Sequence, residues 1–159
     1  MKQITEKEWP EIASPYQLCT LRVTLPQLAS DFGFKLTSYS EHGLGKLEFC
    51  IVRIDDINYW LSSPHAQQGF GTSVQIQSFE LDSRTALNKL LDELKLSESE
   101  LLWKTDYLGP AKWALYRLDD NNNQALIKVF LSKSSAKFVA EQYEIKGHKQ
   151  SYFVHELTP

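Results

Sequence analysis

Across the last third of the chain, apolar residues fall at every second position, then on a helical stripe, then at every second position again. Lys112–Leu118, if extended, places Trp113, Leu115 and Arg117 on one side and Ala114, Tyr116 and Leu118 on the other. Asp119-Asp120-Asn121-Asn122-Asn123 follows. Asn and Asp tolerate left-handed backbone angles and bond their own main chain, so this run predicts a hairpin loop. Ala125–Leu131 is apolar on both sides except at Lys128 and predicts a second strand. Ser132 to Ser135 offers hydroxyls as N-caps. After them Phe138, Val139, Gln142 and Tyr143 form a helical stripe flanked by Ala136 and Ala140. Lys146 suits the negative end of that helix, and Gly147 can take the positive φ that stops it. Gln150–Leu157 alternates again, which completes a ββαβ unit.

The same reading covers the chain before it. Thr5–Ile12 predicts a short amphipathic helix limited by Pro10, and Tyr16–Val23 a loosely alternating strand. Thr24 followed by Pro26 starts a helix with Leu25, Leu28, Ala29 and Phe32 as its stripe, stopped at Gly33. Lys35–Ser40 predicts a further strand, and residues 41–45 a loop. Lys46–Ile54 alternates strongly, with Leu47, Phe49 and Ile51 opposite Cys50, Val52 and Ile54. Asp55-Asp56 turns it into a hairpin partner, Ile57–Leu61. Ser62–Thr72, with Pro64, Gly69 and Gly71, predicts the longest irregular loop. Ser73–Leu81 predicts a strand whose alternation slips between Ile76 and Phe79, as a bulge would cause. Asp82-Ser83 caps a helix with Ala86, Leu87, Leu90, Leu91 and Leu94 on one face. Ser97-Glu98-Ser99-Glu100 has the form of a capping box and predicts one more helical turn.

Taken together, the pattern predicts an α+β fold. Two to three helices pack on one mainly antiparallel sheet of about six strands, in a single domain over residues 1–159, with a seam conceivable near residues 107–111. The helix–three strands–helix–two strands–helix order is similar to that of small acidic bacterial secretion chaperones, a likeness of element order without a shared motif.

Composition narrows function mostly by exclusion. The net charge of -3 argues against a dedicated nucleic-acid binder, whose affinity rests on a basic face. The charge is uneven: 12 basic against 17 acidic residues up to Asn123, then 5 against 3 from Gln124 onward. Aromatic residues make up 12% of the chain, so much of the core volume is expected to be aromatic. Cys19 and Cys50 sit in apolar strand-like runs without metal or redox spacing; whether they pair is open at this level. Met1–Glu8 lacks the apolar core of a signal peptide, and no run approaches transmembrane length, so a cytoplasmic location is expected.

Candidate chemistry is sparse. His42, His65, His148 and His155 are far apart in sequence. Glu141, Glu144 and His148 would share a face only if the helix ran past Gly147, so no metal site and no cofactor are expected. Glu41 and His42 in a glycine-bounded loop, and His65 beside Ser62-Ser63-Pro64, are the acid–base candidates for a small hydrolase or nucleotide-modifying enzyme using the 41–45 and 62–72 loops. Gln67–Thr72 contains Gly-x-Gly but no third glycine and no Walker lysine, so a phosphate cradle is not expected. Lys146, His148 and Lys149 with Tyr152 and Phe153 form a basic, aromatic stretch over 146–153 that would suit weak nucleic-acid binding. Against that, cations answering the helix dipole already account for the lysines.

An interaction surface remains. Four tryptophans, Trp9, Trp60, Trp103 and Trp113, are many for this length, and aromatic side chains contribute disproportionately at interfaces. The leading expectation is a non-enzymatic protein of the bacterial cytoplasm, immunity-protein-like or chaperone-like. It would bind a protein partner, or a second copy of itself, through an acidic surface with aromatic anchors. Trp60, Trp103, Tyr107, Lys146, His148, Lys149 and Tyr152 are the residues expected to bind.

Overall fold

A computed structural model describes residues 1–9, 14–41, 45–64, 71–79, 81–147 and 150–157. In chain order these form β1 (Lys2–Ile4), β2 (Pro15–Leu21), α1 (Leu25–Phe32), β3 (Thr37–Glu41), β4 (Gly45–Ile54), β5 (Ile57–Pro64) and β6 (Thr72–Gln77). Then follow α2 (Ser83–Leu94), β7 (Leu101–Lys104), β8 (Trp113–Leu118), β9 (Gln124–Phe130), α3 (Lys133–Ile145) and β10 (Ser151–Glu156). Single 3-10 turns occupy Glu6–Glu8 and Glu98–Glu100. The fold is α+β, as the periodicity predicts. Its strands divide into a seven-stranded and a three-stranded sheet, where the pattern alone suggested one shared sheet.

The chain separates into two compact units, Met1–Pro10 with Gln17–Ile76 and Ala86–Asp106, and Glu11–Tyr16 with Gln77–Thr85 and Tyr107–Pro159. The first is built on the large sheet, ordered β1-β4-β5-β6-β2-β7, with β3 also paired to β4. The β4–β5 hairpin is its spine. Ile54 faces Ile57 across a two-residue turn in which Asp55 takes φ 53, an angle aspartate tolerates. Cys50, Val52 and Ile54 alternate to one face together with Tyr59 and Leu61, and all are buried. The Tyr59 hydroxyl donates to the Ala86 carbonyl at 2.9 Å, so α2 lies over that face. Leu87, Leu90, Leu91 and Leu94 of α2 are buried, as the helical stripe requires. The other face carries Phe49, Ile51 and Ile4, closed by Trp9 and Trp60.

In the second unit, β10, β8 and β9 pair antiparallel in that order, and α3 packs across them. Leu115, Phe130, Ala136, Val139 and Ala140 form its buried centre. Phe79 contributes from an earlier segment, edge-on to Phe130 at 5.3 Å. Ser132 caps α3, its hydroxyl accepting the Ser135 amide at 3.1 Å. Gly147 takes φ 74 just beyond the helix.

Several elements differ from the periodic reading. Within the predicted N-terminal helix, Glu6–Glu8 form a 3-10 turn tied by the Thr5 amide donating to Glu8 Oε2, and residues 10–12 lie outside the described residues. β1, only three residues long, forms because β4 offers it an edge at Ile51–Arg53. β5 runs on to Pro64, into the segment that reads as loop. β6 ends at Gln77 rather than bulging. Phe79 then bridges Phe130, which explains the slipped alternation. β7 follows the second 3-10 turn where no strand was legible.

Candidate functional site

β7 is the terminal strand of the large sheet among the described residues. Its position follows from the turn before it. The Ser97 amide donates to Glu100 Oε2 at 2.9 Å, closing the capping box and reversing the chain. Main-chain bonds then fasten both ends to the β2 region: Arg22 N–H to the Glu100 carbonyl at 2.7 Å, and Thr105 N–H to the Leu18 carbonyl at 3.0 Å. Cys19 faces Lys104 and Thr20 faces Trp103, with an irregularity before the Leu21–Leu101 pair that leaves Leu102 opposite no residue of β2. In an antiparallel ladder, hydrogen-bonded and non-bonded pairs alternate. Since the Thr105–Leu18 pair is bonded, the Lys104–Cys19 pair is not, and the Lys104 amide and carbonyl point away from β2.

The side chains on this edge are apolar at the centre and charged at the ends. Leu102 is 46% and Trp103 45% exposed. Along the chain, Glu98, Glu100 and Asp106 flank them with three carboxylates against one ammonium, Lys104, which pairs with Glu98. A terminal strand with exposed large apolar side chains is a template for pairing with another chain; β7 combines that exposure with three blunting features, its four-residue length, its irregular register and Lys104.

The other tryptophans are engaged. Trp60 stacks on Phe49 with centroids 4.4 Å apart and meets Trp9 edge-on at 5.6 Å. Trp113 packs on the second unit's core with the Lys133 ammonium 4.9 Å above its ring. Tyr107 is half-buried; its carbonyl accepts the Tyr16 and Ser83 hydroxyls and its own hydroxyl donates to the Pro110 carbonyl. Tyr152 stacks on Tyr143 at 5.4 Å and belongs to the same core as Trp113. Lys146 is exposed at the end of α3. His148 and Lys149 lie outside the described residues. Trp103 is thus the tryptophan left to solvent. Sequence could not single it out, because which rings become covered depends on strands paired far along the chain.

Glu41 ends β3, paired with Gly45, while His42 and His65 lie outside the described residues. Among the described residues no three His, Cys, Asp or Glu side chains gather as metal ligands would. Cys19 and Cys50 are free and buried, and burial pushes both thiols up to about 12. The acidic turns serve structure. The Lys89 ammonium lies 2.6 Å from Asp55 and holds its carboxyl below the usual range. Asp119 accepts from the Asn123 side chain and amide and from the Asn121 amide, each at 2.9 Å, which likewise favours its ionised form. No described helix is long and apolar enough to cross a membrane.

Comparison with protein-family models, with curated proteins and with solved structures returns no match for this chain.

Proposed function

We propose that this chain is a non-enzymatic, partner-binding protein of the immunity-protein or chaperone kind. Its β7 edge takes an extended, cationic segment of a protein partner as an added strand. The observation that carries the reading is the pair Leu102–Trp103, nearly half exposed on a terminal strand. Strand addition draws affinity from main-chain hydrogen bonds and specificity from alternate side chains. Here Lys104 supplies an outward amide and carbonyl, Trp103 and Leu102 the apolar anchors, and the flanking carboxylates the preference for a basic strand. The net charge of -3 points the same way.

Titration with two short synthetic peptides tests this, one alternating lysine with valine and the other glutamate with valine. The lysine peptide is expected to bind at least about tenfold more tightly, and more weakly as salt is added. Lys104→Pro is the diagnostic variant. It removes an outward N–H while sparing the ladder to β2, and it makes the edge more acidic, so charge alone would tighten binding. Loss of binding in Lys104→Pro with an unchanged melting temperature supports the added strand. Equal binding of both peptides, or full binding by Lys104→Pro, overturns it. Self-association that Lys104→Pro abolishes would replace it with a β7–β7 homodimer.

A further inference from the structure

α3 buries one side against its sheet and leaves two large apolar residues on the other. Ala136, Val139 and Ala140 are buried, and Tyr143 packs on the same cluster. Phe138, which periodicity places on that stripe, is instead 44% exposed, and Ile145 is 76% exposed. At 3.6 residues per turn these two lie about two turns apart, on the side opposite the buried stripe. Exposed Ser134 falls in line with them.

A row of charges runs beside this stripe. Lys133, Lys137, Glu141 and Glu144 share one flank of α3, and all four are exposed. None makes an ion pair among the described residues, although the Lys133 ammonium stands over the Trp113 ring. Their order runs against the helix. The N-terminal end of a helix is partially positive and its C-terminal end partially negative, so lysines first and glutamates last oppose the macrodipole.

The same order is self-complementary. Laid antiparallel on a second copy, with the two-fold axis at the level of Val139, α3 brings Lys137 alongside Glu141 and Lys133 alongside Glu144 of that copy. This one register also sets Phe138 against Phe138 and Ile145 against Ser134. A parallel pair would set lysine against lysine and glutamate against glutamate. Glu141, bordering the apolar stripe, also disfavours insertion of this face into a lipid surface.

We propose that the outer face of α3 is a self-association surface, on which two copies of this chain pair antiparallel. Phe138 and Ile145 supply the apolar contact, and the charged flank sets the direction. A single pair of 13-residue helices buries well under the roughly 800 Å² per partner of a standard interface. The dimer is therefore weak, with a dissociation constant on the order of 100 µM. The surface includes no residue of β7 and does not depend on the strand-addition reading.

Sedimentation velocity of the full chain carrying Lys104→Pro, which blocks pairing through β7, tests this. The average mass is expected to rise from monomer towards dimer between roughly 10 µM and 1 mM, and to rise less as salt is added. Phe138→Asp, at an exposed position, is expected to weaken association at least about tenfold. Two charge variants supply a second arm. Lys133→Glu with Lys137→Glu makes the flank wholly acidic, and Glu141→Lys with Glu144→Lys makes it wholly basic. Both changes suit the helix dipole, so α3 is retained in each. Either variant alone is expected to associate at least about tenfold more weakly, and their equimolar mixture about as tightly as the parent. A chain that stays monomeric throughout the range, association unaffected by Phe138→Asp, a charge variant that associates as the parent does, or a mixture that stays monomeric would each overturn the proposal.

Discussion

Gly71 illustrates how a single position can constrain a sheet. A Cβ added there would fall 1.5 Å from the Leu21 carbonyl oxygen, so the backbones meet at a distance that only hydrogen on the α-carbon permits. Gly-x-Gly here lacks the third glycine and the lysine of a phosphate cradle, and the close approach gives a packing reason for Gly71. Gly71→Ala is expected to destabilise the protein by roughly 3 kcal/mol in urea unfolding, the range for an overpacked, backbone-limited site. The two thiols make a second prediction. A group whose folded pKa is raised from 9.0 to about 12 contributes stability fully below pH 9.0, and that contribution is lost as pH rises from 9.0 towards 12. Cys19 and Cys50 should therefore resist alkylation at pH 8 until urea unfolds the chain, and the urea midpoint should fall above pH 9. Rapid alkylation of the native protein would contradict their burial.

At the scale of elements, helices announced themselves and short strands did not. α2 and α3 carry their start signals in the side chains beside them: Asp82 Oδ1 accepts the Thr85 amide at 3.0 Å, and Ser132 does the same for Ser135. Ser132→Ala is expected to cost about 1 kcal/mol, read as a lower urea midpoint with an unchanged m-value. β4, β5, β8 and β9 were legible because each runs long enough to show alternation. β1 and β7 were not. Three or four residues cannot establish a period of two, and these segments are strands only because β4 and β2 lend them partners. The proposed docking edge, β7, is one of these strands.

At the scale of the whole molecule, the second unit is less self-contained than its sequence suggests. The ββαβ run from Trp113 to Glu156 reads as self-contained, yet the unit it belongs to also draws on residues 11–16 and 77–85. Phe79 packs on Phe130, the Leu131 amide donates to the Ser78 carbonyl at 3.0 Å, and the Ser83 hydroxyl accepts the Gly109 amide at 3.0 Å. A fragment of residues 107–159 expressed alone lacks all three. It should show collapsed amide dispersion, or at best a melting temperature well below that of the intact chain. A fully dispersed spectrum of the fragment, with unaltered protection of the Phe130 amide, would show these contacts to be dispensable.

What the sequence determined by itself was local: where the period is two and where it is helical, which hydroxyls and carboxylates cap the helices, where the chain must turn, and hence the α+β class. These signals act between residues a few positions apart, so they survive without the rest of the chain. Tertiary structure decided how the strands divide between two sheets, which strand ends the larger one, and which tryptophan stays in water. Those outcomes depend on pairings such as Thr20 with Trp103 and Trp9 with Trp60, between residues distant in the chain. Periodicity carries no information about such partners, because an exposed aromatic and a covered one are written with the same letter.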